Sequence, residues 1–292
     1  MIITAGQVKE LREITGAGMM ECKKALEEAQ GNIEAAIELM RKKGQAKAAK
    51  KSGRITAEGS VIIAVSPDHK MAAMVEVNCE TDFVGREAEF GAFVKEAAEA
   101  ALKGKVNSVE TLSSQTLSDG LTVEEKRQAL IIKVGENVQV RRVVTIAAKD
   151  HVGFYVHGSR IGVVVDMKCH ETEFTKSIAM HIAASKPEVV KPEEVSKEAI
   201  AKEKEIFIAQ AAESGKPREI IEKMVGGRIK KYLAEVSLYG QPYVKDPNKT
   251  VEQALKEQGA VVNSFMRFEV GEGIEKRVDN FAEEVLAQAR GG

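Results

Sequence analysis

Residues 76–84 read Glu-Val-Asn-Cys-Glu-Thr-Asp-Phe-Val. The first half closes an apolar, strand-like run and the second half opens a helix. Upstream, Ser60–Ser66 and Met71–Asn78 flank Pro67-Asp68-His69-Lys70, which has the turn chemistry of a hairpin tip. Downstream, Phe90, Phe93, Val94 and Ala97 share one stripe of a helix expected over roughly Val84–Leu102. A strand hairpin feeding a helix makes the fold class α+β. Thr81 or Asp82 would cap that helix. Phe83 is then either packed inward or held out as an acid-flanked wedge.

The same transition recurs once. Residues 169–174 read Cys-His-Glu-Thr-Glu-Phe, so cysteine followed by Thr-acid-Phe returns with one insertion. Two strands, Phe154–His157 and Ile161–Met167, precede it around Gly158-Ser159, and a helix over about Glu173–Ser185 follows. The core therefore reads as two related subdomains, 55–150 and 151–274. In the first, Thr122 and Glu125 open a helix with capping-box spacing that ends near Gly135, and Asn137–Ala148 is a strand. In the second, a helix near Val251–Glu257 and a strand Ala260–Val270 complete the pattern. Residues 193–238 interrupt it as two long helical arms turning at Ser214-Gly215-Lys216-Pro217. Such a projecting hairpin meets a partner or a second copy of the chain.

Ahead of the core, residues 1 to about 40 read as three short helices. Thr4 and Gln7 form a capping box, and Val8, Leu11 and Ile14 share a face. Gly16-Ala17-Gly18 turns the chain, Met19, Cys22, Ala25, Leu26 and Ala29 make the second stripe, and Asn32 caps the third helix. Residues 41–54 carry Arg41, Lys42, Lys43, Lys47, Lys50, Lys51 and Arg54 with no acid. They read as a linker or a frayed helix extension, with an RNA-binding arm as the functional alternative. A short amphipathic helix is expected over Asn280–Ala289, in a terminal module 275–292.

Composition narrows the function. The 292 residues suggest about two domains. Lys plus Arg is 43 against 44 Asp plus Glu, a balance unlike that of a dedicated nucleic-acid coat. With no Trp, 9 Phe and 4 Tyr, stacking platforms for bases are scarce. Cys22, Cys79 and Cys169 are read as reduced thiols of a cytoplasmic protein. No P-loop, nucleophile elbow or zinc-ligand spacing occurs, so neither an enzyme, a cofactor nor a metal is expected. Apolar runs are too short for a membrane span.

Several stretches, in order, resemble bacterial elongation factor Ts. They include Val8-Lys9-Glu10-Leu11-Arg12, Thr15-Gly16-Ala17-Gly18-Met19-Met20, Cys22-Lys23-Lys24-Ala25-Leu26 and residues 76–84. His157-Gly158, Arg160-Ile161-Gly162, residues 181–187, Gly240-Gln241-Pro242 and residues 268–273 extend the resemblance over nearly the whole chain. It implies a ubiquitin-associated-like three-helix domain within 1–54, a two-part core and a protruding helical hairpin. It also implies guanine nucleotide exchange on elongation factor Tu, in its GDP-bound and nucleotide-free forms. Thr81, Asp82, Phe83 and Val84 match the motif that dislodges the partner's magnesium. Arg12, Met19, Met20, Val134, Gly135, His157 and Val244 match further contact positions. The hairpin matches one through which some members dimerise.

Overall fold

The computed structural model describes residues 3–169, 171–212 and 217–275. The expected terminal helix at 280–289, residues 276–292 of the expected module and 214–216 of the expected turn lie outside them. Three helices open the chain: α1 (Ala5–Thr15), α2 (Met19–Glu28) and α3 (Ile33–Lys51). The first half of the core is β1 (Glu58–Val65), β2 (Met71–Cys79), α4 (Asp82–Gly85), α5 (Ala88–Gly104), α6 (Val109–Ser113), α7 (Val123–Val134) and β3 (Val138–Ala147). The second half is β4 (Val152–His157), β5 (Ile161–Lys168), α8 (Thr172–Ser185), α9 (Lys197–Ala212), α10 (Arg218–Val236), β6 (Pro242–Tyr243), β7 (Asp246–Thr250), α11 (Val251–Glu257) and β8 (Val261–Glu269).

Two three-stranded antiparallel sheets carry the core, in the orders β1-β2-β3 and β4-β5-β8. The side-chain alternation of a strand explains their stacking. Along β2, Ala73, Val75, Val77 and Cys79 meet Phe90, Phe93 and Ala97 of α5. Its alternate residues Ala72 and Met74 join Val61, Val152, Val164 and Phe268 between the sheets. Along β5, Val163, Val165 and Met167 face Ile178 and Ile182 of α8. The order is therefore helices, sheet, sheet, helices. Central strands buried on both faces lose polar alternation, which is why 71–75 reads as one apolar run. Gly162 lets the sheets touch: a Cβ there would lie 2.5 Å from Val61 Cγ1 and 2.9 Å from Met74 Sδ.

The repeat anticipated from Cys79 and Cys169 extends to detail. Each half pairs a hairpin with a third antiparallel strand beside its second. Each has a bulge at the corresponding acid, between Glu76 and Val77 in one half and between Asp166 and Met167 in the other. The Sγ atoms of Cys79 and Cys169 each donate to the carbonyl two residues on, at 3.1 and 3.5 Å. The following phenylalanines part company: Phe174 packs on the second core, whereas Phe83 faces solvent.

A buried acid pins the halves together. Glu76, fully buried, receives Arg141 at 3.0 Å, Arg142 at 2.5 Å and the Gly271 amide at 2.9 Å. Arg142 continues to the Glu269 carbonyl at 3.0 Å and stacks over Phe268 at 4.2 Å.

The helix-extension reading of the basic stretch 41–54 holds up to Lys51, because Ala48 docks in the first core and α3 lies along α7. Its charges are largely engaged within the chain: Arg41 with Glu125, Lys42 with Glu38, Lys43 with Glu28, Arg54 with Glu80, and Lys51 with the Gly135 carbonyl. The single helix expected from Val84 is two, α4 and α5, broken where Glu87 turns extended (φ −67°, ψ 140°). Ile14, expected on the buried face with Leu11, is 58% exposed. The capping boxes at Thr4–Gln7 and Thr122–Glu125 and the Asn32 cap form as read. Helices α9 and α10 pack along each other, with Arg228 over the Phe207 ring and Val225 buried.

Candidate functional site

The strand β2 ends at Cys79, and two residues later Thr81 stands extended (φ −119°, ψ 156°) as N-cap of the one-turn helix α4. Its hydroxyl accepts the Val84 amide at 3.4 Å. Consecutive helical residues point about 100° apart. Val84 enters the first core at 5% exposure, so its neighbour Phe83 is turned outward, 77% exposed. Leaving a phenyl ring in water forfeits about 1.5–3 kcal/mol of burial. Asp82 stands in the first turn, where negative charge complements the helix N-terminus, and pairs with Arg86 at 2.9 Å.

The turn is held from below. Glu136 Oε2 accepts the amides of Glu80 and Thr81 at 3.1 and 2.9 Å, and its Oε1 accepts the Thr81 hydroxyl at 2.6 Å. Glu80 returns the arrangement, its Oε1 accepting the Asn137 amide at 2.6 Å. Burial, then the charges of Glu136 and Glu58, push the Cys79 thiol up to about 12. Cys79 therefore stays a protonated core residue and no nucleophile.

The other expected residues fall in several places. Val134 packs half-buried on the first core, and Gly135 caps α7 in the left-handed conformation (φ +77°), which places Glu136 under Thr81. His157 ends β4, with its Nδ1 3.0 Å from the Tyr155 hydroxyl. The turn after it reaches β1 beside α4: the Ser159 carbonyl accepts the Val61 amide at 2.7 Å, Arg160 pairs with Glu58, and the Ser60 hydroxyl donates to the Gly85 carbonyl at 3.4 Å. Met19 and Met20, 59% and 65% exposed, flank the turn whose Gly16 abuts Lys133 of α7. Arg12 is exposed on α1 nearby and its carbonyl accepts the Gly16 amide at 2.8 Å. Exposed Ile14 adds to that surface. Its helical spacing from Leu11 had concealed this.

Val244 stands apart, 46% exposed between β6 and β7. Its amide donates to Nδ1 of buried His181 at 3.2 Å. That donor fixes the tautomer, so Nε2–H faces Gln241 Oε1 at 2.9 Å. Gln241 Nε2 in turn donates to the carbonyls of Ser185 and Glu235, joining α8 to the end of α10. Burial lowers the His181 pKa below its ordinary 6.5, against the opposing Gln241 bond. A lowered folded pKa means that the unfolded chain takes up the proton first as pH falls. His181 thus costs nothing well above pH 6.5 and weakens the fold progressively below it. A proton-NMR titration of His181 is expected to give a midpoint below 6.5, with unfolding free energy falling over the same range; a midpoint at or above 6.5 contradicts the assignment.

Glu136 and Glu80 were missed by sequence reasoning. They lie 55 and more residues apart from the backbone they hold, so no local spacing marks them. No group of three His, Cys, Asp or Glu among the described residues is placed to hold a metal ion. No described helix is long and apolar enough to cross a membrane.

Fold and site define a two-sheet α+β protein that displays an aromatic on a braced turn and, on its N-terminal helices, an exposed methionine pair. The family model described as Elongation factor TS matches residues 80–272. The chain is 61% identical over 293 aligned positions to "Elongation factor Ts" of Thioalkalivibrio sulfidiphilus, covering 100% of both. It is 57% identical to the Legionella pneumophila (strain Paris) protein of that name and 56% identical to that of Methylococcus capsulatus, covering 99% of each chain. The chain belongs to the elongation factor Ts family, and its role is that of a translation elongation factor.

Proposed function

We propose that the protein is the guanine nucleotide exchange factor of elongation factor Tu, and that Phe83 is the wedge through which it acts. The observation that carries this reading is a 77%-exposed phenylalanine on a turn tied to the core at several points. Buried between elements of the partner, the ring would recover its burial energy only in a conformation that displaces magnesium and loosens GDP. Binding would thereby stabilise an arrangement that the partner otherwise visits rarely. Asp82 supports Phe83 at the contact, and Thr81 and Val84 hold the turn that presents it. The N-terminal helices, read as the ubiquitin-associated-like module of 1–54, grip the GTPase domain through Arg12, Met19 and Met20. Val134, Gly135 and His157 border the wedge. Val244 makes a separate contact, and the helices within 193–238 offer a route to a dimer. The boundaries at 54, 150 and 274 belong to the same reading.

The mechanism demands reciprocity, since two ligands that weaken one another do so equally. Titration calorimetry should find much weaker binding to the GDP–magnesium form of the partner than to the nucleotide-free form. Addition of GDP to the complex should release the factor. Equal affinity for the two forms would rule out exchange by this route. The RNA-arm alternative receives little support, because most of the basic charges of 41–54 are engaged within the chain.

A further inference from the structure

An aromatic that is 77% exposed has little packing of its own to aim it. A helix of four residues, such as the one bearing Phe83, does not hold its shape unaided. The Asp82–Arg86 pair on it is solvent-exposed, a class of contact that contributes little. The direction of the ring is therefore set by the burial of Val84 on one side and by whatever fixes residues 80–82 on the other. We propose that Glu136 is a positioning residue for Phe83, its carboxylate fixing the turn through the Glu80 and Thr81 amides and the Thr81 hydroxyl. This deepens the exchange reading above and rests on it.

The Glu136 side chain reaches three groups of the turn and holds them at 3.1, 2.9 and 2.6 Å. The reverse bond from the Asn137 amide to Glu80 Oε1, at 2.6 Å, locks the same two segments a second time. Turning residues 80–82 would break both sets together. The brace is itself anchored, since β3 begins at Val138 and its ladder pairs that residue with Cys79. Glu136 precedes the ladder, so the sheet does not need it.

The test compares Glu136→Gln, which keeps the reach, with Glu136→Asp, which keeps the charge and loses a methylene. Both are made in the natural sequence, and Glu136→Asp also beside Phe83→Ala. Stimulated release of fluorescent GDP from elongation factor Tu is measured against factor concentration. Glu136→Asp should slow the saturating rate by about five- to tenfold with half-saturation moved less than about twofold, since misplacement of an acting group costs rate more than binding. Glu136→Gln should stay within about twofold of the natural protein, and Glu136→Asp should cost nothing further without the Phe83 ring. Equal loss in the Gln and Asp variants, no loss in Asp, or the same loss in the Phe83→Ala background overturns the proposal. Should the natural protein itself fail to stimulate release, the exchange reading falls. Amide hydrogen exchange then decides the brace: at least about tenfold faster exchange at Glu80 and Thr81 in Glu136→Asp upholds it, and unchanged rates overturn it.

Discussion

Phe83→Ala slows factor-stimulated GDP release by about 10- to 100-fold, the rate equivalent of the about 1.5–3 kcal/mol that burying a phenyl ring supplies. Its thermal midpoint and far-ultraviolet circular dichroism stay those of the natural protein. A phenylalanine in the core would cost about 3–5 kcal/mol of stability on truncation to Ala. At 77% exposure Phe83 has no such role, so rate and stability separate cleanly. Val84 is the internal control. At 5% exposure it anchors the turn in the core, and Val84→Ala should lower stability as well as rate. A fall in the Phe83→Ala midpoint that matches its loss of rate would mean that the ring supports the fold and not the exchange.

Glu76→Ala is expected to destabilise the fold by about 3 kcal/mol, because removing one partner of a buried ion pair leaves the others uncompensated. Arg141 and Arg142 lose their shared carboxylate and the Gly271 amide its acceptor. For a chain of this size the melting temperature should drop by roughly 6–12 °C. The two arginines are partly exposed, at 24% and 28%, so water takes up some of the loss and the lower end is the better expectation. Differential scanning calorimetry reads the effect directly. A midpoint unchanged to within about one degree would show that the apolar layer around Met74, Val164 and Phe268 joins the halves without the pin.

The parts of the fold that sequence reveals are those set by neighbours in the chain. The hairpin tip at 67–70, the capping boxes at Thr4 and Thr122, and the Asn32 cap are all decided within four residues, and all form. The repeat was visible because cysteine followed by Thr-acid-Phe recurs at 79–83 and 169–174, and each cysteine closes onto the carbonyl two residues on. What escaped was set at a distance. The partners of Glu76 lie 65, 66 and 195 residues away, and those of Glu136 lie 55 and 56 away. The helix over 41–51 was left open between a linker and a helix extension by its charge and by Gly44. Its Ala- and Lys-rich composition favours a helix once one face has α7 to lie against. The break between α4 and α5 was hidden because apolar spacing runs on through it. The two pieces separate at Glu87, whose backbone turns extended.

For the candidate site, sequence supplied the motif but not its posture. Thr81 and Asp82 read equally well as ordinary caps, and Thr81 does cap a helix whose first turn holds Asp82. That this cap also presents a solvent-facing ring follows from the fold, as does the exposure of Met19, Met20 and Ile14 beside α7.

The account turns on whether this protein opens the nucleotide site of elongation factor Tu. The partner, loaded with fluorescent GDP, is mixed in a stopped-flow instrument with excess unlabelled GDP and increasing amounts of the protein. The account predicts release that accelerates far above the intrinsic rate and saturates with protein concentration. Release that stays at the intrinsic rate at every concentration would contradict it.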